Sequence, residues 1–257
     1  MYKLFQNTLF LGKEVVHLPT CQSTNDIASD LLARGHAEGL LVITDSQTAG
    51  RGQRGHSWDT QPGQNLTCSI LFRPQFVPLT QQFTLHLFVS LALYDWAEHL
   101  GVTRPQIKWP NDLYADDEKL GGILIENTVK GSKLEGSVVG IGININQTAF
   151  GHLRATSLTL HTGQRHQLPE VLETLLFKLE KRYLQLKRGH LNQLWNDYHQ
   201  RLLGLDEDRV FRTSGQSWRG TIKEVNAHGQ LCIHKADGQK ESFAHGEIEW
   251  VFENQKG

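Results

Sequence analysis

Gln47-Thr48-Ala49-Gly50-Arg51-Gly52-Gln53-Arg54-Gly55-His56-Ser57-Trp58 is the stretch on which the fold turns. Gly50, Gly52 and Gly55 satisfy a G-x-G-x-x-G pattern, which in a doubly wound dinucleotide-binding fold joins a strand to a helix. The flanking residues reject that reading. Asp59-Thr60-Gln61-Pro62-Gly63-Gln64-Asn65 is turn chemistry without helical period. The next strand-like run ends in Phe72-Arg73-Pro74-Gln75, with no acidic residue to hold a ribose. No Gly-Lys-Ser/Thr closes the loop as in a Walker A site. What remains is a flexible loop whose N–H groups can approach a ligand and whose Arg51 and Arg54 can grip an anion. A solvated surface loop is the competing reading.

Outward from this loop, helical and strand-like patterns mix without the clean alternation of a doubly wound sheet. Ser23-Thr24-Asn25-Asp26 opens an amphipathic helix carrying Ile27, Ala28, Leu31 and Leu32, stopped by Gly35. Residues 40–44 read as a buried strand, and Leu66, Cys68, Ile70 and Phe72 alternate as a half-buried one. Residues 81–100 form a helix apolar nearly all round, hence deep in the core. Residues 121–126 and 138–145 are further strands, and 169–187 and 191–202 are helices. From about residue 205 the chain becomes short β-like runs, with Asp237-Gly238 a hairpin signal. The expected fold is therefore α/β of the α+β kind: a mixed-sheet domain over residues 1–204 and a small β-barrel over 205–257.

The bulk properties exclude whole classes. The 257 residues carry 26 Lys+Arg against 27 Asp+Glu, a net charge of -1, which disfavours a main task of neutralising nucleic acid or an anionic membrane. Three scattered cysteines, Cys21, Cys68 and Cys232, build neither a disulfide framework nor a CxxC metal pair. The first seven residues are too polar for a signal-peptide core, and residues 83–100 too polar for a membrane span. A reduced cytoplasm is the expected compartment. The 13 histidines show no metal-ligand spacing.

Three further segments carry chemistry. In Lys108-Trp109-Pro110-Asn111-Asp112 the proline holds Trp109 extended and presents a cation, an amide and a carboxylate on one turn. In Lys119-Leu120-Gly121-Gly122-Ile123-Leu124-Ile125-Glu126 a lysine enters a buried strand beside two glycines, which suggests a desolvated cation with a ligand close to the backbone. Gly140-Ile141-Gly142-Ile143-Asn144-Ile145-Asn146 is a strand with room on one face. Each taken singly also fits a plain turn, an edge strand or a bulge.

Taken together and in this order, the Ser23-Thr24-Asn25 helix start, the Gly-Arg-Gly-x-x-Gly loop, Lys-Trp-Pro-Asn-Asp and Lys-x-x-Gly-Ile-Leu resemble the catalytic domain of biotin–protein ligases over residues 18–146. The resemblance implies that family's mixed-sheet catalytic domain with an SH3-like C-terminal barrel. It implies a two-step reaction in which biotin and ATP, with Mg²⁺, give biotinyl-AMP, and the acyl group passes to a lysine of a biotin carboxyl carrier domain. Lys119 and Arg51 then act on the carboxylate and α-phosphate, and Asp112 accepts or orients the acceptor's proton. Biotin is held by Ser23, Thr24, Asn25, Gln47, Arg51, Gly52, Gln53, Lys119, Gly122, Leu124 and Gly140. The nucleotide side takes Arg51, Arg54, Trp58, Asn111 and Asn144. Many family members carry arginine where this chain has Gln53, which puts retention of the acyl-adenylate on Arg51 or Arg54.

The residue types suit that reaction. A carboxylate and a phosphate about 4 Å apart repel by roughly 4 kcal/mol at a surface-like dielectric, and a fixed cation between them removes the obstacle. Lipoate ligases and octanoyltransferases of the related fold are the nearest rivals. A DNA-binding repressor of the same family is a second, but 22 residues ahead of Ser23 leave no room for its helix-turn-helix domain. The expected partner is a carrier domain, with no DNA and no membrane; a monomer and a homodimer both fit.

Overall fold

A computed structural model describes residues 5–252; the signal-peptide expectation falls partly on residues 1–4, outside them. Seven strands form one mixed sheet: β1 (Val15–Leu18), β2 (Leu41–Thr44), β3 (Leu66–Phe72), β4 (Pro105–Lys108), β5 (Asp112–Ala115), β6 (Glu118–Lys130) and β7 (Lys133–Ile143). Their spatial order is β1-β2-β3-β7-β6-β5-β4, and only β1 and β2 run parallel. Neighbours are otherwise antiparallel, as a sheet built mainly from hairpins requires.

Strand periodicity divides this sheet into two unlike faces. Ile123 and Ile141, together with Cys68, Ile70, Leu41 and Ile43, join the main core beneath helices α2 (Phe83–His99) and α4 (Leu168–Lys187). Leu85, Leu87, Phe88, Leu91 and Trp96 of α2 are wholly buried there, each contributing about 1.5–3 kcal/mol. α5 (Leu191–Gln200) completes that layer, and Arg182 of α4 ties it together by pairing with Asp95 at 2.7 Å and Asp197 at 2.6 Å. On the opposite face, α1 (Thr24–Ala33) covers one part of the sheet through Ala28 and Leu32. The rest of that face stays open, because residues in register across six strands (Thr44, Thr67, Gly142, Gly122, Asp112 and Lys108) are small or polar. A short helix α3 (Leu158–Thr162) follows β7.

Local signals account for most element ends. Ser23 caps α1 in an extended conformation, and Gly35 beyond its end has φ +87°. The expected strands at 121–126 and 138–145 form the middle of the longer hairpin β6–β7. Lys108 and Asp112 lie on strands, and Trp109-Pro110-Asn111 is the turn between them, with a cis Trp109–Pro110 bond. Among the described residues no helix is long and apolar enough to cross a membrane.

The C-terminal part corrects one expectation. Strands β8 (Asp208–Thr213), β9 (Gln216–Val225), β10 (Leu231–Lys235), β11 (Lys240–Phe243) and β12 (Glu249–Val251) form a sheet in the order β11-β10-β9-β8-β12. It is an open five-stranded sheet, not the SH3-like β-barrel of the expected fold class, since its edge strands β11 and β12 do not pair with each other. The physical reason lies in the segment between them. Instead of running along the edge, it reaches to the loop of residues 47–58, where the carbonyls of His245 and Gly246 accept hydrogen bonds from Arg54. The expected Asp237-Gly238 turn does join β10 to β11, with Gly238 at φ +88°.

Candidate active site

The open face of the main sheet, the loop of residues 47–58 and the C-terminal sheet enclose a cleft of about 520 Å³. Its floor is made of glycines because nothing larger fits. A Cβ on Gly140 would stand 2.3 Å from Asn25 Oδ1, and one on Gly142 would stand 2.3 Å from the Trp58 indole. On Gly122 it would meet Asp112 Oδ1 at 3.3 Å and Lys119 Nζ at 3.4 Å. At the loop's start, a Cβ on Gly50 would stand 2.3 Å from the Trp58 carbonyl.

At one end, the start of α1 supplies a buried polar cluster. Gln47 Oε1 accepts from the Thr24 main-chain N–H at 2.8 Å and from its hydroxyl at 3.2 Å. Ser69 donates to Thr24 Oγ1 at 2.7 Å or to Asn25 Oδ1 at 2.6 Å. Asn25 Nδ2 donates to Glu126 Oε2 at 2.6 Å. Ser23, Thr24 and Asn25 are all buried. This end offers fixed donors and acceptors with no formal charge of their own, backed by Glu126.

At the centre, Lys119 Nζ lies 2.7 Å from Asp112 Oδ1 and 5.8 Å from the centroid of the Trp58 ring. The Lys119 backbone is held by Asn144, whose side-chain N–H groups donate to the carbonyls of Thr156 at 3.0 Å and Lys119 at 3.4 Å. Asn111 donates to the Ile123 carbonyl at 2.7 Å, fixing the turn to β6. Two buried polar atoms of the loop, Gln53 Oε1 and the Trp58 indole nitrogen, have no hydrogen-bond partner among the described residues. Orphaned polar atoms aimed into a cleft are the expected mark of an incoming ligand.

The other end is aromatic and cationic. Lys108 Nζ sits 5.5 Å from the Tyr114 ring and 5.4 Å from Trp250 of the C-terminal sheet, while Tyr114 stacks on Phe252 at 5.8 Å. Burial pushes the Lys108 pKa down, against the pull of Asp112 and with the push of Lys119. Burial likewise drives Tyr114 well above its ordinary range.

The loop's arginines are parked on neighbours. Arg51 pairs with Asp26 at 2.5 Å and with Glu126 at 3.3 Å, both partly exposed, and Arg54 binds the His245 and Gly246 carbonyls. Exposed pairs of this kind are worth about 0–1 kcal/mol, so an anion gripped through two oxygens can displace them.

Of the residues singled out from the sequence, the cleft brings together Ser23, Thr24, Asn25, Gln47, Arg51, Gly52, Gln53, Arg54, Trp58, Asn111, Asp112, Lys119, Gly122, Leu124 and Gly140. Asn144 stands behind it. Sequence reasoning missed Glu126 as the partner of Asn25 and Arg51, and Ser69, whose inward position the β3 alternation does imply. It placed Lys108 beside Asp112 without giving it a site role, and it missed Tyr114 and the wall that includes His245, Trp250 and Phe252. No spacing signal links residues so far apart in the chain.

A mixed sheet with one glycine-floored face, an uncharged polar recess at one end and a tethered lysine between recess and aromatic wall makes a cleft that can hold an acid and a second anion on either side of one cation. The profile of the Biotin/lipoate A/B protein ligase family matches residues 18–144. The biotin–[acetyl-CoA-carboxylase] ligase of Mycobacterium tuberculosis is 31% identical over 225 residues, 84% of this chain and 82% of that protein. The bifunctional ligase/repressor BirA of Bacillus subtilis is 29% identical over 92% of this chain and 74% of its own length. The biotin protein ligase of Aquifex aeolicus, solved with biotin and ATP, superposes with a TM-score of 0.76 at 26% identity, over 93% of this chain and all of that one. The chain belongs to the biotin/lipoate A/B protein ligase family.

Proposed function

We propose that this chain is an ATP-dependent biotin–protein ligase, which forms biotinyl-5'-AMP and passes biotin to a lysine of a carboxylase's biotin carboxyl carrier domain. The observation that carries the reading is the position of Lys119. Its ammonium, tethered by Asp112, stands between the polar recess of Thr24, Asn25 and Gln47 and the wall that takes the nucleotide. The uncharged ureido ring of biotin fits the recess, and its apolar tail runs over Gly140, Gly122 and Leu124. Its carboxylate then ends beside Lys119, which neutralises it for attack on the α-phosphorus.

Arg51 leaves Asp26 and Glu126 to hold the phosphate, and Trp58 covers the adenine. Ser23, Gly52 and Gln53 close on the biotin side, with Arg54 and Asn111 on the nucleotide side. Asn144 acts by holding the Lys119 main chain. Asp112 orients Lys119 in the first step and the acceptor's amine in the second. Among the described residues no three His, Cys, Asp or Glu side chains are grouped to hold a metal. Mg²⁺ comes with the substrate, carried on the ATP phosphates, where it commonly keeps several waters. We divide the chain at residues 204/205 into a catalytic and a C-terminal domain, and place it in the cytoplasm, which supplies ATP and suits three free cysteines.

The test is ATP–pyrophosphate exchange with biotin or lipoate, followed by mass spectrometry of a carrier domain incubated with ATP, Mg²⁺ and biotin. Biotin-dependent exchange and a biotinylated acceptor lysine are expected. Exchange driven by lipoate instead, or by neither acid, overturns the assignment.

A further inference from the structure

The acyl-transfer step needs a base, and Asp112 is already bound to Lys119 at 2.7 Å. His245 is free for the task. It comes from the segment between β11 and β12, and its side chain lines both the main cleft and an adjoining opening bounded by residues 49–57 and 124–126. The imidazole is half-buried, edge-on to Trp109 at 6.1 Å between centroids. Its main chain is fixed by Arg54 through the carbonyl, yet neither ring nitrogen takes part in a hydrogen bond among the described residues. A positioned ring with idle nitrogens, where two openings meet, is placed to serve a group arriving through one and reacting in the other.

We propose that His245 is the general base of the transfer step, taking the proton from the acceptor lysine's nitrogen as that nitrogen attacks the acyl carbon. The proposal rests on the biotin ligase reading above. The acceptor enters as its uncharged amine, about one molecule in a thousand near neutral pH. Its lone pair forms the N–C bond, which makes the nitrogen cationic and far more acidic. His245 accepts one of its protons, the C–O bond to the phosphate breaks, and AMP leaves with that electron pair. The products are the amide, AMP and an imidazolium that returns its proton to water.

Because the attacking nitrogen becomes acidic, a weak base suffices, provided it is neutral at working pH. The groups facing His245 enforce this: Arg54 of the loop and Lys108 of β4 are cations, Asp112 of β5 is the anion, and His86 of α2 lies behind. Burial, then Arg54, push the His245 pKa below its ordinary value; Asp112 pulls it back up and Lys108 pushes down. Burial, with a contribution from His245, lowers His86 to about 4, so it adds no charge near neutral pH.

The experiment separates the two half-reactions in the full-length protein. Transfer is followed in single turnovers from isolated biotinyl-AMP to a carrier domain, and adenylation by biotin-dependent exchange. His245→Ala is expected to slow transfer by about 100-fold or more and to lower the ratio of transfer to exchange by at least about tenfold. Added imidazole should restore transfer in proportion to its concentration, and the wild-type rate, which on the acid side should fall with pH more steeply than loss of the acceptor's free amine alone requires, should lose that extra steepness in the variant. His245→Gln, which keeps the main-chain contact with Arg54, should show the same slow transfer. Transfer by either variant within threefold of wild type overturns the proposal, as does an equal loss of exchange and transfer that imidazole does not relieve. If the wild-type protein neither exchanges nor transfers, the ligase reading itself has failed instead.

Discussion

In the polar recess of the cleft, Thr24, Asn25, Gln47 and Ser69 are bonded to one another over 2.6–3.2 Å, whereas in the loop Gln53 and Trp58 hold buried polar atoms with no partner among the described residues. The first region stands on a sheet and the capped start of a helix, so its donors and acceptors are aimed before any ligand arrives. The second stands on glycines, with Arg54 itself at φ +54°, and its cations rest on exposed partners. On the proposed reading, one region selects the acid by shape and the other is completed by the nucleotide. The cost of reorganising solvent and side chains during reaction is avoided most fully where the groups are already fixed.

Four substitutions probe that contrast, from the largest effect to the smallest. Lys119→Ala removes the cation between the two anions and should cut biotin-dependent exchange by about 100- to 1,000-fold. A loss below tenfold would move the catalytic cation to the loop. Gly140→Val drives a side chain into Asn25 and should weaken biotin, measured by calorimetry, by about 100-fold while leaving the nucleotide's affinity within a fewfold. Should biotin bind that variant as tightly as wild type, the recess would not be preorganised. Asp112→Asn releases Lys119 and is expected to slow exchange and transfer by about tenfold each; unimpaired transfer would remove Asp112 from the second step. Gln53→Arg adds a third loop cation toward the acyl-adenylate, and dissociation of biotinyl-AMP, followed by filter binding, should slow by about three- to tenfold. An unchanged release rate would show that Arg51 and Arg54 already hold the intermediate.

The same contrast explains what could be read in advance. Strand alternation and apolar spacing give β2, β3, α2, α4 and α5 to within a residue or two, because each is a continuous pattern whose cause is burial. The loop's break with a dinucleotide-binding fold was visible in its turn-rich continuation. Residues that meet only when the helix and the loop dock on the sheet escaped: Ser69 beneath Asn25, and Glu126 beside Arg51. The barrel was expected because short β-like runs with a hairpin signal describe open and closed sheets equally well. What separates them is whether the edge groups bond to each other, and here the carbonyls of His245 and Gly246 bond to Arg54.

The row of positions that crosses six strands from Thr44 to Lys108 sets how such a chain can drift through time. Since side chains alternate, losing one residue from β6 ahead of Leu124 would turn Ile123 into the cleft and bury the glycines. Point changes on the apolar underside are far gentler, because Ile, Val and Leu exchange there with small adjustments of packing. Chains of this kind are thus expected to diverge by substitution and to keep strand lengths almost untouched.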